Sequence, residues 1–274
     1  MKAITKEYNR TLLKPREITS HKGSFGHALL VAGNTGRMGA AVIAARACLR
    51  AGVGLLTVNV PQDERLILQT TIPEAMLSFR ENTDYDSTTF TALGIGPAMG
   101  TDLKSEAILL DVLTNFTKPI VLDADALNII SANKTLLKNI PKDTILTPHP
   151  KEFDRLFGVH QNTEDRINTA ILKAMQYEII IVLKGHQTCI INGEEVWINT
   201  TGNAGLAKGG SGDALTGIIT AFLAQGYAPF IAAKMGVYLH GLAADITLKN
   251  QSMESMLISD VIENFGKAFE FVLK

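Results

Sequence analysis

A chain of 274 residues, 46% of them hydrophobic and 19% charged, has enough apolar side chain to bury the core of one large α/β domain. A formal net charge of −1 and a pI near 6.6 exclude a general attraction for nucleic acid or anionic membrane, so any polyanion must be met by a local arrangement of donors. Cys48 and Cys189 are too few and too far apart for a disulfide or metal framework. The first twenty residues lack the apolar run of a signal peptide, and no apolar stretch reaches the roughly 18–20 residues of a membrane span. The expectation is a cytoplasmic protein.

Short apolar runs alternate with helical periodicity along most of the chain. Strands are expected at Ala28–Ala32, Leu55–Val60, Ala92–Ile95, Ile120–Leu122, Thr144–Thr147 and Ile179–Leu183, with helices at Ala40–Ala51, Leu103–Asn115 and Glu164–Gln176 between them. Apolar strands separated by helices indicate a mostly parallel sheet covered on both faces, the open doubly wound arrangement. The rhythm changes after Lys184. Thr188–Ile191 and Glu195–Asn199 flank Asn192-Gly193, a two-residue hairpin signal, and closing helices are expected at Gly212–Gln225, Ile231–Leu248 and Ser259–Val272. No repeat, low-complexity linker or composition break divides the chain, which reads as one domain over residues 1–274.

The most informative run is TTGNAGLAKGGSGDALTGIITAFLAQG, from Thr200 to Gly226. Gly209, Gly210, Ser211 and Gly212 lead into a helix. Glycines let successive backbone N–H groups turn inward, and a helix N-terminus adds oriented positive charge, so this loop suits a phosphate or a developing oxyanion. It is not a Walker A loop, because no Lys-Ser/Thr follows the last glycine. Asp213 stands at its mouth. A first-turn aspartate can simply complement the helix dipole. With Ser211 available to cap, however, a carboxylate beside a phosphate site is better explained as the base that takes a proton during transfer. The loop resembles the Gly-x-Gly-Asp anion hole of the ribokinase-like superfamily, in which that aspartate deprotonates a substrate hydroxyl.

Five further segments narrow the resemblance: GSFGHALLVAGNTGRMGAAVIAARACLRAGVGLLTV (Gly23–Val58), LGIGPAMG (Leu93–Gly100), PIVLDADALN (Pro119–Asn128), TPHPKEFDRL (Thr147–Leu156) and VLKG (Val182–Gly185). In this order, ending in the anion hole, they resemble the ADP-dependent NAD(P)H-hydrate dehydratase family over nearly the whole chain. The resemblance implies a ribokinase-like three-layer sandwich. It also implies ADP-dependent dehydration of (6S)-NADHX and (6S)-NADPHX to NADH and NADPH, with release of AMP and phosphate. Some members carry an epimerase domain ahead of the dehydratase, and this chain is expected to stand alone without one. Mg²⁺ as cofactor, ADP as cosubstrate and a homotetramer are further implications.

The residues carry physical readings beside the implied ones. Gly33, Gly36 and Gly39 mimic a Rossmann turn, but their spacing is wrong and the next strand ends near Asn59 instead of a ribose-binding acid, which disfavours a hydride-transfer site. By resemblance this loop, with Ala40, and the second glycine loop, with Gly100, contact the hydrated dinucleotide; on its residues alone the second loop reads equally as a tight turn. Asp123 and Asp125 follow a strand end and either help hold Mg²⁺ through water or, for Asp125, cap the next helix. His149, between two prolines, is pointed by resemblance at the nicotinamide hydrate. Lys184 reads as solvated charge on its own, whereas the resemblance makes Lys184, Gly185, His186, Gln187 and Thr188 contacts of the AMP moiety, with Gly212 beside its phosphate. Lys208 either adds charge to the anion hole or is simply exposed. His21, His27, His160 and His240 have no metal-ligand spacing and receive no role. Two rivals remain: a ribokinase-like kinase of a vitamin precursor such as hydroxyethylthiazole or hydroxymethylpyrimidine, and a catalytically silent nucleotide sensor.

Overall fold

The computed structural model describes residues 1–81 and 87–274. Its strands are β1 (Lys2–Ile4), β2 (His27–Val31), β3 (Leu55–Val60), β4 (Met76–Phe79), β5 (Ala92–Ile95), β6 (Ile120–Leu122), β7 (Ile145–Leu146), β8 (Ile180–Leu183), β9 (Cys189–Ile191) and β10 (Val196–Asn199). They form one sheet in the order β1-β10-β9-β8-β7-β6-β5-β2-β3-β4. Every neighbouring pair is parallel except β8–β9 and β9–β10, because β9 alone runs backwards.

Side chains alternate between the two faces of a strand, and both faces are apolar here. Leu30, Ala92, Val121 and Val182 join one core, while Leu29, Leu93, Leu122 and Ile181 join the other. The first core is closed by α1 (Lys6–Leu12), α2 (Met38–Arg50), α3 (Arg65–Thr71), α8 (Ser211–Ala224), α9 (Pro229–Thr247), α10 (Ile258–Glu263) and α11 (Phe265–Leu273). The second is closed by α4 (Leu103–Asn115), α5 (Ala124–Ala132), α6 (Pro150–Phe157) and α7 (Thr163–Tyr177). Two helical layers around a mostly parallel sheet match the expected doubly wound sandwich. Among the described residues no helix is long and apolar enough to cross a membrane.

Three details differ from the expected elements. The stretch Ser259–Val272 is two helices, α10 and α11, broken at Asn264, whose amide donates to the Thr247 hydroxyl and the Asp260 carbonyl. The hairpin turn is centred one residue later than Asn192-Gly193. Asn192 N–H donates to the Glu195 carbonyl, so Gly193, at φ 91°, takes the first central position. The short elements β1, α1 and β4 escape periodicity because each is too brief or too exposed to show an apolar face.

The chain visits β2, β3 and β4 on one side and then returns to place β5 on the other side of β2. This reversal opens a crevice at the carboxyl ends of β2 and β5, the place where ligands of such sheets collect. Both early glycine loops, Gly33–Gly39 and Gly96–Gly100, sit at that crevice.

Candidate active site

The carboxyl ends of β6, β7 and β8 deliver Asp123, His149 and Lys184 to one cavity of about 680 Å³, which the first turn of α8 closes with Ser211, Gly212 and Asp213. Lys184 is no solvated strand end. Its ammonium donates to Asp123 Oδ1 at 2.9 Å and lies 3.9 Å from Glu152 Oε2. The Thr216 hydroxyl, one turn along α8, donates to Asp123 Oδ2 at 2.8 Å. Burial alone would raise the Asp123 carboxyl, but the Lys184 charge and hydrogen bond, with the hydroxyls of Thr147 and Thr216, hold it below the ordinary carboxylate range. Likewise burial would lower Lys184, and Asp123 and Glu152 outweigh it and hold the ammonium above its usual value. The pair is charged at neutral pH.

That fixed buried charge acts on Asp213. Burial first and the neighbouring Asp123 carboxylate second push the Asp213 carboxyl up to about 6, against the pull of Lys184. An acid with this value is mostly deprotonated at neutral pH yet basic enough to accept a proton, the compromise that general-base catalysis favours.

The loop before Asp213 is built for an anion. Gly210, not Ser211, is the N-cap of α8; it has φ 92° and no side chain caps the helix. Ser211 N–H reaches the Lys208 carbonyl at 3.4 Å and Ala214 N–H the Gly210 carbonyl at 2.9 Å, while the N–H groups of Gly212 and Asp213 have no acceptor among the described residues. A Cβ on Gly209 would meet nothing within 4 Å, whereas one on Gly212 would come within 3.3 Å of Lys184 Nζ. Gly212 therefore lets the lysine lie against the helix N-terminus. The Lys208 ammonium donates to the carbonyls of Glu254 and Met256.

His149 is the N-cap of α6. Its Nδ1 accepts from the N–H groups of Lys151 and Glu152, and Glu152 returns a bond to the His149 N–H. An Nδ1 occupied as acceptor leaves the ring proton of the neutral form on Nε2, which is 3.4 Å from Glu152 Oε1 and available to a ligand oxygen. Burial holds this imidazole below its ordinary pKa. The capping contact of Glu152, missed on the sequence, had a signal there: a glutamate three residues past a strand-end cap and two past Pro150 is a capping-box pattern. Thr216 had none, because it hides in an apolar helical run.

Gly185, His186 and Thr188 line the same cavity, whereas Gln187 opens onto an adjoining one of about 360 Å³. Ala40 and Gly100 lie apart from this cavity, at the β2–β5 crevice: Ala40 in the first turn of α2, Gly100 beyond β5 with φ 91°. Asp125 neither caps α5 nor stands free. It accepts the Gly100 N–H at 2.9 Å and the Asn128 amide at 3.2 Å, and so ties the second glycine loop to α5. The buried Arg80 guanidinium joins the two loops, donating to the carbonyls of Ala32, Gly33 and Met99. Between Asp123 and Asp125, Ala124 is held at φ 45°, a left-handed conformation that costs on the order of 1 kcal/mol or more for a residue with a Cβ. The described residues hold no converging set of three His, Cys, Asp or Glu side chains, so a Mg²⁺ at this site would rest on one or two carboxylates, such as Asp123 and Asp125 just past the end of β6, together with waters and the phosphates of a ligand.

Residues 28–266 match the family model described as NAD(P)H-hydrate dehydratase. The chain is 36% identical to the ADP-dependent (S)-NAD(P)H-hydrate dehydratase of Bacillus subtilis, over 97% of this chain and 98% of that protein. It is 35% identical to the bifunctional NAD(P)H-hydrate repair enzyme of Moorella thermoacetica over 95% of its own length, but spans only 52% of that larger protein. Among solved structures, the ADP/ATP-dependent NAD(P)H-hydrate dehydratase of Bacillus subtilis, co-crystallised with ATP and Mg²⁺, superposes with a TM-score of 0.89 at 32% identity and covers 99% of this chain and 98% of that one. With a family model spanning most of its length and a full-length relative above 30% identity, this chain belongs to the NAD(P)H-hydrate dehydratase family.

Proposed function

We propose that the protein dehydrates (6S)-NADHX and (6S)-NADPHX to NADH and NADPH at the expense of ADP. The observation that carries this is the raised Asp213 carboxyl at the uncapped N-terminus of α8, beside the buried Lys184–Asp123 pair. The hydrate bears a hydroxyl on C6, next to the ring nitrogen, and hydroxide is a poor leaving group. Asp213 takes the hydroxyl proton as the oxygen attacks the β-phosphorus of ADP, and AMP departs. The amides of the Gly209–Gly212 loop, with Lys184 behind them, hold the charge of the transferring phosphoryl group. The ring nitrogen lone pair then expels phosphate, and loss of the C5 proton restores the dihydropyridine.

In this reading Lys184, Gly185, His186, Gln187 and Thr188 hold the AMP moiety. Ala40, Gly100 and His149 position the hydrate, the first two from the β2–β5 crevice and His149 by the proton on Nε2. Mg²⁺ would be held chiefly by the nucleotide phosphates, with Asp123 and Asp125 reaching it through water, and would neutralise phosphate charge. Residues 1–274 act as one unit, an arrangement supported by the pairing of β1 with β10 at the far edge of a continuous sheet. A cytoplasmic homotetramer is the proposed working form, and light scattering of the purified protein tests the assembly. The chemistry is tested by Asp213→Asn, which should bind ADP as the parent does and lose turnover by about 10³-fold; near-normal turnover in that variant contradicts the assignment.

A further inference from the structure

The edge strand β4 ends by sending Arg80 beneath the two glycine loops of the β2–β5 crevice. The Arg80 N–H donates to the Val60 carbonyl at 3.1 Å and extends the pairing with β3, so the backbone here is secured without the side chain. The side chain runs inward, and the residue is only 7% exposed. Its Nη1 donates to the Met99 carbonyl at 3.1 Å, and its Nη2 to the carbonyls of Ala32 at 3.0 Å and Gly33 at 2.5 Å. Ala32 and Gly33 lead out of β2, and Met99 lies in the loop that leaves β5. One planar fork therefore spans both loops.

Stability alone explains this placement poorly. The guanidinium forms no ion pair among the described residues, its Nε is buried without an acceptor there, and burial lowers it to about 10 against the charges of Glu81 and Asp102. A buried cation satisfied only by carbonyls is costly. What it achieves is conformational. Gly33 is held at φ 75°, Ala98 at 49° and Gly100 at 91°. A left-handed residue with a Cβ persists only where its surroundings hold it. The Met99 carbonyl also accepts from the Asn34 amide at 3.1 Å and the Ser105 hydroxyl at 2.9 Å, and Gly33 N–H donates to the Pro97 carbonyl at 2.8 Å. A trans peptide carries its N–H opposite its carbonyl. Drawing the Gly33 carbonyl onto Arg80 thus turns the Asn34 N–H away from it, and that N–H has no acceptor among the described residues.

We propose that Arg80 is a positioning residue for the hydrated dinucleotide: by pulling three loop carbonyls inward it sets the spacing of the two glycine loops and leaves the Asn34 N–H for an oxygen of that ligand. This rests on the reading of the β2–β5 crevice as the hydrate's site. Arg80 does not line the cavity assigned to ADP, so its loss should be felt by one substrate and not by the other. A residue that merely held the fold together would affect both.

Steady-state kinetics on the full chain with chemically prepared NADPHX, ADP and Mg²⁺ test this in the parent, Arg80→Met, Arg80→Lys and Ser105→Ala. Arg80→Met should raise the KM for NADPHX by roughly 10- to 100-fold and leave the KM for ADP within about twofold of the parent. Arg80→Lys, which keeps the charge but not the planar fork, should lie between the two. Ser105→Ala removes a single bond to the Met99 carbonyl and keeps the test open should Arg80→Met fail to fold; it should raise the KM for NADPHX alone, by roughly 3- to 10-fold. Titration calorimetry with ADP, without any hydrate, should give the same affinity for every folded variant. Equal losses for the two substrates, or an unmoved KM for NADPHX in every folded variant, overturns the role of Arg80 alone. A parent without ADP-dependent turnover overturns the functional reading and this role with it.

Discussion

The Asp213 carboxyl, raised to about 6, has to be ionised to take a proton, so kcat/KM, which follows the free enzyme, should climb with pH along a limb centred near 6 and level off above 7. The same shift has a consequence for stability. A carboxyl raised in the folded state binds more protons folded than unfolded between its ordinary value and about 6, and stability falls as pH rises through that window. His240, lowered to about 4, works the other way, because the unfolded chain binds its proton first and stability rises with pH over nearly the same range. Asp213→Asn should therefore make the melting profile rise more steeply between pH 4 and 6 than in the parent, and be more stable than the parent at pH 7 by about 1–2 kcal/mol, allowing for the solvent that still reaches the site. A variant less stable than the parent at pH 7 would contradict the origin assigned to the shift. Lys184→Met poses the opposite case, since it strands Asp123 as an unpaired buried charge. It should cost about 3–5 kcal/mol at pH 8 and less at pH 5, because without the Lys184 charge and hydrogen bond burial raises the Asp123 carboxyl and lets it protonate. A loss in thermal melts that is no smaller at pH 5 than at pH 8 would argue that Lys184 is not what keeps Asp123 ionised.

At the scale of elements, the entry to α8 decides whether the anion loop exists. Gly210 sits at φ 92°, and a Cβ there would lie 2.6 Å from Ile43 Cδ1 on α2. Gly210→Ala should lower stability by about 1–3 kcal/mol and weaken ADP at least tenfold by turning the free amides; unchanged ADP affinity would show that the loop does not need this conformation. The loop was legible beforehand because its glycines and the apolar run after them carry both a backbone and a periodicity signal. The strands β2, β3, β5, β6 and β8 were legible for a similar reason, each being largely buried on both faces and hence mostly apolar, with Thr57 and Asn59 of β3 the buried polar exceptions. The break at Asn264 was not, because the apolar spacing continues across it and only a tertiary bond to Thr247 marks the end of α10. The Asp123–Lys184–Thr216 contacts join residues 61 and 93 positions apart, a distance over which local pattern says nothing.

Across the whole molecule, the first and ninth helices lean on one edge of the sheet. Tyr8 of α1 stacks on Trp197 of β10 at 4.4 Å, and the Lys234 ammonium of α9 sits over both rings. Trp197, the sole tryptophan, thus reports on the edge farthest from β4. If residues 1–274 act as one unit, its fluorescence and the far-ultraviolet circular dichroism should change at the same urea concentration; two separated transitions would divide the chain. The sheet's geometry puts the proposed phosphoryl donor at the ends of β6–β8 and the proposed hydrate loops at the β2–β5 crevice, with Asp123 and Asp125 on the short segment between them. The central claim, that the chemistry joining these two regions is repair of a hydrated coenzyme, is tested most directly by mixing purified protein with chemically prepared NADPHX, ADP and Mg²⁺ and following absorbance at 340 nm, with ATP and nucleotide-free controls alongside. The account predicts recovery of 340-nm absorbance that requires ADP and releases AMP and phosphate in equal amounts. No recovery with either nucleotide, or accumulation of a stable phosphate ester, would contradict it.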